Sequence, residues 1–366
     1  MATQTGFLVI SDISGYTMFL SKSELEHAQE ILQALLELLI DHNRPPLTIS
    51  RTAGDAVISY ALAGAAIQGQ TFVELMEDTY VAFRRAIELM VMNNSCQCNA
   101  CANVSALDLK FFVHHGEFGI QKLGGHDELV GSDVNLLHRL LKNRVVEATG
   151  VAAYTLYTDG AIRALGLDGF TASLTSHRES YEHLGEVALW VQNMHPVWQA
   201  KQKERLITIP PERVVLEVSA EIALPPHQVW DYLIRPEFQS VIIGSDRQEI
   251  THRHSGRVAP GSVYVCYHGK QIIRRTILQW RPFEEIITED LIPLPGTFVP
   301  IRYLLTPTAS GTRLTQTFGK GRGPLRLLAD LKLRLSAKQA QADVEKFRDT
   351  VHAAWAAQSG QEVQLL

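Results

Sequence analysis

Residues 7–11 form a short apolar run closed by Asp12-Ile13-Ser14-Gly15, the pattern of a buried strand ending in a turn. From Ser23 the pattern changes period. Leu25, Ala28, Leu32, Leu35, Leu36 and Leu39 recur at steps of three and four, which predicts an amphipathic helix closed by Asn43 and Pro45-Pro46. Residues 47–50 and 56–62 read as a hairpin bent around Thr52-Ala53-Gly54-Asp55. A second helix is expected over 71–92, with Val73, Met76, Tyr80, Phe83, Ile87 and Met90 as its buried stripe. Residues 107–115 and 117–121 predict another hairpin around Gly116, followed by a helix from Asp133 and strands over 152–158 and 186–192. This order predicts a ferredoxin-like α+β domain over 1–195, a mixed sheet with helices on one face.

The stretch 196–211 carries Pro196, Pro210 and Pro211 around Lys201-Gln202-Lys203-Glu204-Arg205 and is expected to be a linker. Beyond it, over 212–366, the pattern becomes strand, short helix from Val229, several strands, then one long helix over 325–356. That predicts a curved antiparallel sheet gripping a closing helix.

At 366 residues the chain is long enough for two cores. A net charge of −5 provides no basic excess to neutralise phosphates, which argues against general nucleic-acid binding. No apolar run reaches the length of a membrane span, and the start lacks a signal-peptide pattern, so a cytoplasmic location is expected. Three of the four cysteines, Cys96, Cys98 and Cys101, crowd into six residues. This is not a secreted disulfide framework. Three thiols can supply three ligands to zinc or a cluster, with His114, His115 or a second protomer completing the set. The alternative is a reduced, partly exposed loop.

Asp12 and Asp55 each stand beside glycine at the edge of an apolar run. Taken singly, such an aspartate is more often a turn former. Two brought together by the fold would repel unless cations lay between them, and Mg²⁺ or Mn²⁺ accepts carboxylates plus phosphate oxygens. The backbone carbonyl of Ile13 is a further candidate ligand. Asn135 and Arg139 lie four apart and share a helix face distinct from that of Val134, Leu137, Leu141 and Val145. Arg can offset charge on a triphosphate and Asn can hold a ribose or phosphate oxygen. A solvated face with an incidental arginine is the plainer reading of that spacing alone.

The stretches Phe7–Thr17 and Arg51–Val57, with Gly131-Ser132-Asp133-Val134-Asn135-Leu136-Leu137-His138-Arg139, resemble class III adenylyl and guanylyl cyclases over most of residues 5–192. The resemblance implies two metal ions at Asp12 and Asp55, transition-state stabilisation by Asn135 and Arg139, and a homodimer whose sites draw the metals from one protomer and the Asn/Arg pair from the other. The reaction so implied turns a nucleoside triphosphate into a 3′,5′-cyclic nucleotide and pyrophosphate. Adenylyl cyclases usually carry Lys where Arg51 stands and Asp or Thr near Glu128. The longer Arg51 and Glu128 keep that order of charges and favour ATP, with a pyrimidine nucleotide left open. If Arg51 and Glu128 merely pair with each other, the domain is instead an idle nucleotide- or partner-binding module coupled to a sensor. The Cys-x-Cys-x-x-Cys insertion and the following Leu107–Phe118 stretch are similar to those of a bacterial group of cyclase-related proteins.

Val218–Asp231 resembles the opening of START and polyketide-cyclase-like helix-grip domains, a similarity covering about 212–356. It implies a cavity for a small hydrophobic ligand. Trp230, Tyr232, Phe238, Tyr264, Tyr267 and Trp280 are candidates for its lining, core packing being the alternative. His227, His252, His254 and His268 have no metal spacing and are expected at the surface or satisfied.

Overall fold

The computed structural model describes residues 3–62, 69–92, 98–123, 126–167, 169–204, 206–253 and 256–364. The chain is mixed α+β and divides into two units, Met1–Ala65 with Phe72–Glu204, and Ala66–Thr71 with Arg205–Leu366.

In the first unit the strands are β1 (Thr3–Ser14), β2 (Thr48–Ala53), β3 (Ala56–Leu62), β4 (Asp108–Leu123), β5 (His126–Val130), β6 (Tyr154–Thr158), β7 (Thr175–Tyr181) and β8 (Gly185–Asn193). They lie in the order β2-β3-β1-β4-β6-β8-β7, with β5 added to β4. β1 is central and antiparallel to both β3 and β4, while β4 and β6 run parallel. The apolar run in β1 is buried because it is covered on both faces. Leu8 and Ile10 join Phe112, Val134 and Leu137 in one cluster. On the other face Asn43, at the end of the Leu25–Asn43 helix, donates to the Ser11 hydroxyl at 3.3 Å.

The hairpin expected around Gly116 is absent. Residues 108–123 form one continuous strand, paired with β1 over 108–119 and with β5 over 119–123. Gly116 is needed for a close approach rather than a turn. A Cβ there would lie 2.2 Å from Asp133 Oδ2. The side chain of Asp133 occupies that space and accepts a hydrogen bond from the Glu117 N–H at 2.6 Å. The helix His195–Lys203 takes in residues 196–203 of the stretch expected as a linker.

The second unit is a seven-stranded antiparallel sheet of β9 (Val214–Ile222), β10 (Arg247–His252), β11 (Val263–His268), β12 (Gln271–Arg281), β13 (Glu285–Leu291), β14 (Phe298–Thr308) and β15 (Gly311–Gly319). Its order is β10-β11-β12-β13-β14-β15-β9. The single closing helix expected over 325–356 is two helices, Arg326–Leu335 and Ala337–Gln364, parted at Ser336. Val344, Phe347 and Val351 of the second bury fully in the core, and Gln341 donates to the Ser219 carbonyl of β9 at 3.1 Å.

Candidate functional site

Asp12 and Asp55 come together at one end of the first sheet. Asp12 stands opposite Ala56 of β3 and Lys110 of β4. Asp55 occupies the turn joining β2 to β3, and its carbonyl accepts the Ile13 N–H at 3.1 Å. That bond ties the two aspartate-bearing segments to each other. Ile13 itself is buried. Burial, then the charge of Asp55, pushes the Asp12 carboxyl up to about 6, while Lys110 acts in the opposite sense. Burial also raises Asp55. Lys110 lies 5.2 Å from the ring centre of Tyr154, a buried phenol pushed up to about 12 by its burial. Two close carboxylates that resist ionisation fit the place of a cation, which would remove their mutual repulsion.

Asn135 and Arg139 sit on the Ser132–Leu140 helix, whose Val134, Leu137 and Leu140 are buried. Both are exposed. Among the described residues, no hydrogen bond or ion pair joins either of them to Asp12 or Asp55 of the same chain. The start of their helix is anchored by Asp133, which bonds Glu117 on β4 and lies 3.4 Å from His114 Nε2. Lys110, opposite Asp12, is six residues from Gly116, so aspartates and anchor are separated by about 20 Å along β4.

Arg51 and Glu128 meet across 3.4 Å, with side chains 43% and 25% exposed. His138 lies near both, and burial, then Arg51, lowers its pKa. The two residues read as a base pocket therefore engage each other. Sequence reasoning did not single out His138, one residue before Arg139, or Lys110, although its place opposite Asp12 follows from the strand register.

Of the three cysteines, Cys96 lies outside the described residues. Cys98 and Cys101 converge on His27, and these three side chains form a group able to hold a metal ion. His114 and His115, the fourth ligands considered from sequence, are elsewhere: His114 Nδ1 bonds Thr158 Oγ1 at 2.9 Å, and His115 stacks edge-on against Phe7.

The second unit holds a cavity of about 570 Å³ lined by residues including Ile242, Cys266, Arg275, Asp290, Ile301 and Phe318. The aromatic candidates do not line it. Trp230, Tyr232 and Tyr264 are core, with Trp280 and Phe238 packed against them. Arg275 and Asp290 form a buried ion pair at 2.8 Å, also bonded to Gln239 and Thr288. His268 lines the cavity. His227, expected at the surface or satisfied, is buried with no hydrogen-bond partner for Nε2 among the described residues, and desolvation pushes it down to about 4.

No helix among the described residues is long and apolar enough to cross a membrane. Residues 32–149 match a family model described as a protein of unknown function, DUF2652. Among solved structures, a bacterial light-regulated adenylyl cyclase is 12% identical, with a TM-score of 0.39 over 56% of this chain and 99% of that one. The adenylyl cyclase CyaB from P. aeruginosa is 16% identical, with a TM-score of 0.37 over 52% of this chain and 95% of that one. The uncharacterized protein Rv2561/Rv2562 of Mycobacterium tuberculosis is 30% identical over 157 residues, 42% of this chain and 69% of that protein. By that identity and coverage, the chain belongs to the family of the mycobacterial protein Rv2561/Rv2562.

Proposed function

We propose that the first unit is a nucleotidyl cyclase acting on a nucleoside triphosphate, with ATP favoured, at the interface of a homodimer. The observation that carries this reading is the meeting of Asp12 and Asp55 at one sheet end, with Asp12 raised to about 6. Asp12 and Asp55 would hold divalent cations, whose Lewis acidity would favour ionisation of the ribose 3′-hydroxyl and offset phosphate charge. The hydroxyl oxygen would attack the α-phosphorus as the bond to the β-phosphate oxygen breaks, releasing pyrophosphate and, to solvent, the hydroxyl proton. Arg139 would offset charge gathering on the transferring phosphoryl oxygens, and Asn135 would orient the ribose. Losing one such contact typically costs about 10²–10³ in rate. The exposure of both side chains, and the lack of any bond among the described residues from either of them to Asp12 or Asp55, support their action on a second chain. Arg51 and Glu128 would meet the base. The second unit, a helix-grip-like sheet with a cavity, would take a small hydrophobic ligand and regulate the first.

Incubation of the pure dimer with Mg²⁺ or Mn²⁺ and each of the four ribonucleoside triphosphates tests this. Formation of a cyclic nucleotide and pyrophosphate supports it, and no cyclic product from any of the four refutes catalysis. The Arg51–Glu128 pair favours a second reading, in which the domain binds nucleotide or a partner without turnover. That reading expects saturable nucleotide binding in the same panel and no product.

A further inference from the structure

Away from the aspartates, three ligand-type side chains converge from two separate elements. His27 lies in the first turn of the Leu25–Asn43 helix, and Cys98 and Cys101 belong to the short turn that opens the Asn99–Asn103 helix. His27 Nδ1 is 3.1 Å from Cys98 Sγ and 4.0 Å from Cys101 Sγ, and all three ligand atoms lie within 4.8 Å of one another. Tetrahedral zinc, with bonds of about 2.3 Å to sulfur and about 2.0–2.1 Å to nitrogen, places such nitrogen and sulfur atoms about 3.6 Å apart. The two observed separations bracket that value.

The surroundings are arranged for metal-bound thiolate as well. The Cys101 N–H points at Cys98 Sγ, 3.4 Å away, which stabilises negative charge on that sulfur. Glu24, just before the His27 helix, accepts the Ala100 N–H at 3.1 Å and the Asn99 side-chain amide at 3.0 Å. This carboxylate therefore locks the Cys98-x-x-Cys101 turn against the helix that presents His27, as outer-sphere partners of metal ligands do. We propose that His27, Cys98 and Cys101 are three ligands of a zinc site that staples the cysteine segment to the start of the Leu25–Asn43 helix. Two thiolates and an imidazole select zinc over the hard, oxygen-seeking Mg²⁺, so this site is chemically separate from the aspartate pair.

The test uses the full chain purified under reducing conditions without chelator, with elemental analysis and a Co²⁺ titration of metal-stripped protein. About one zinc per chain is expected, and Co²⁺ should give thiolate charge-transfer absorption with intense tetrahedral d–d bands, bleached by zinc. His27→Ala should weaken the d–d bands and lower metal affinity by at least about tenfold. Cys98→Ser should reduce the charge-transfer band, and Asp55→Ala should leave zinc content unchanged whether or not the chain is a cyclase. Unchanged zinc affinity in folded His27→Ala would overturn the proposal. If that variant does not fold, the wild-type spectrum decides, because absence of a cobalt–thiolate band refutes the site. A Cys98–Cys101 disulfide in the isolated protein refutes it equally.

Discussion

Replacing Asp12 with asparagine should stabilise the metal-free protein at neutral pH while abolishing its response to divalent cations. The folded carboxyl titrates at about 6 against an ordinary value of 3.8, because burial and Asp55 both oppose its charge. Above pH 6 both folded and unfolded chains carry the charge, and the folded one bears the full cost, about 3 kcal/mol. Below the ordinary value both states are protonated and the cost is gone. Asp12→Asn removes the charge and keeps the shape. It should therefore gain about 3 kcal/mol at about pH 8, and about 1 kcal/mol at about pH 4.5, where the folded carboxyl is already protonated. Urea unfolding of both proteins with divalent cations removed measures this directly. With Mn²⁺ added, wild type should gain stability through binding to the native state, and the asparagine variant should not. A variant no more stable than wild type at about pH 8, or one whose gain is the same at both pH values, would refute the electrostatic account of the pair.

Three further outcomes are expected. Asp55→Ala and Arg139→Ala should each be inactive alone, but mixing and re-equilibrating the chains should restore about a quarter of wild-type turnover, because mixed dimers keep one whole site. No recovery in verified mixed dimers would place both halves of the site in one chain. Gly116→Ala should cost about 1–3 kcal/mol in denaturant unfolding, since its methyl would lie 2.2 Å from Asp133 Oδ2, and a second substitution, Asp133→Ala, should recover part of that loss. Asp290→Ala should destabilise the second unit by about 3–5 kcal/mol by leaving the Arg275 charge buried and unpaired, and a thermal transition unchanged from wild type would count against this.

Much of this arrangement was legible because the local signals are strong and agree. The apolar run in β1 ends where the polar turn begins, and the spacing of the Leu25–Asn43 helix matches its buried face at Ala28, Leu35 and Leu39, although Leu25 is exposed. Gly116 misled because glycine reads as a turn signal, whereas here its missing side chain makes room for Asp133. The closing helix was read as one because its stripe continues past Ser336 with no proline or glycine to mark the break. β5 and β7 were missed because they are short and polar, with Thr175–Tyr181 burying fully only Glu179. His27 could not be found from spacing, because 71 residues separate it from Cys98 and only the folded helix brings them together.

The Arg51–Glu128 ion pair has a consequence for how an active site would respond to salt. A base entering between these residues must first displace a bond the chain makes to itself. The pair is partly exposed, so its worth is about 0–1 kcal/mol, and if a nucleotide base docks there its rupture would weaken affinity by no more than about fivefold. Added salt screens that internal attraction and eases entry of the base, while it loosens the grip on the triphosphate. Affinity for a free nucleoside should thus rise with ionic strength as affinity for its triphosphate falls. The crossing of those two trends would separate competition at the base from attraction at the phosphates.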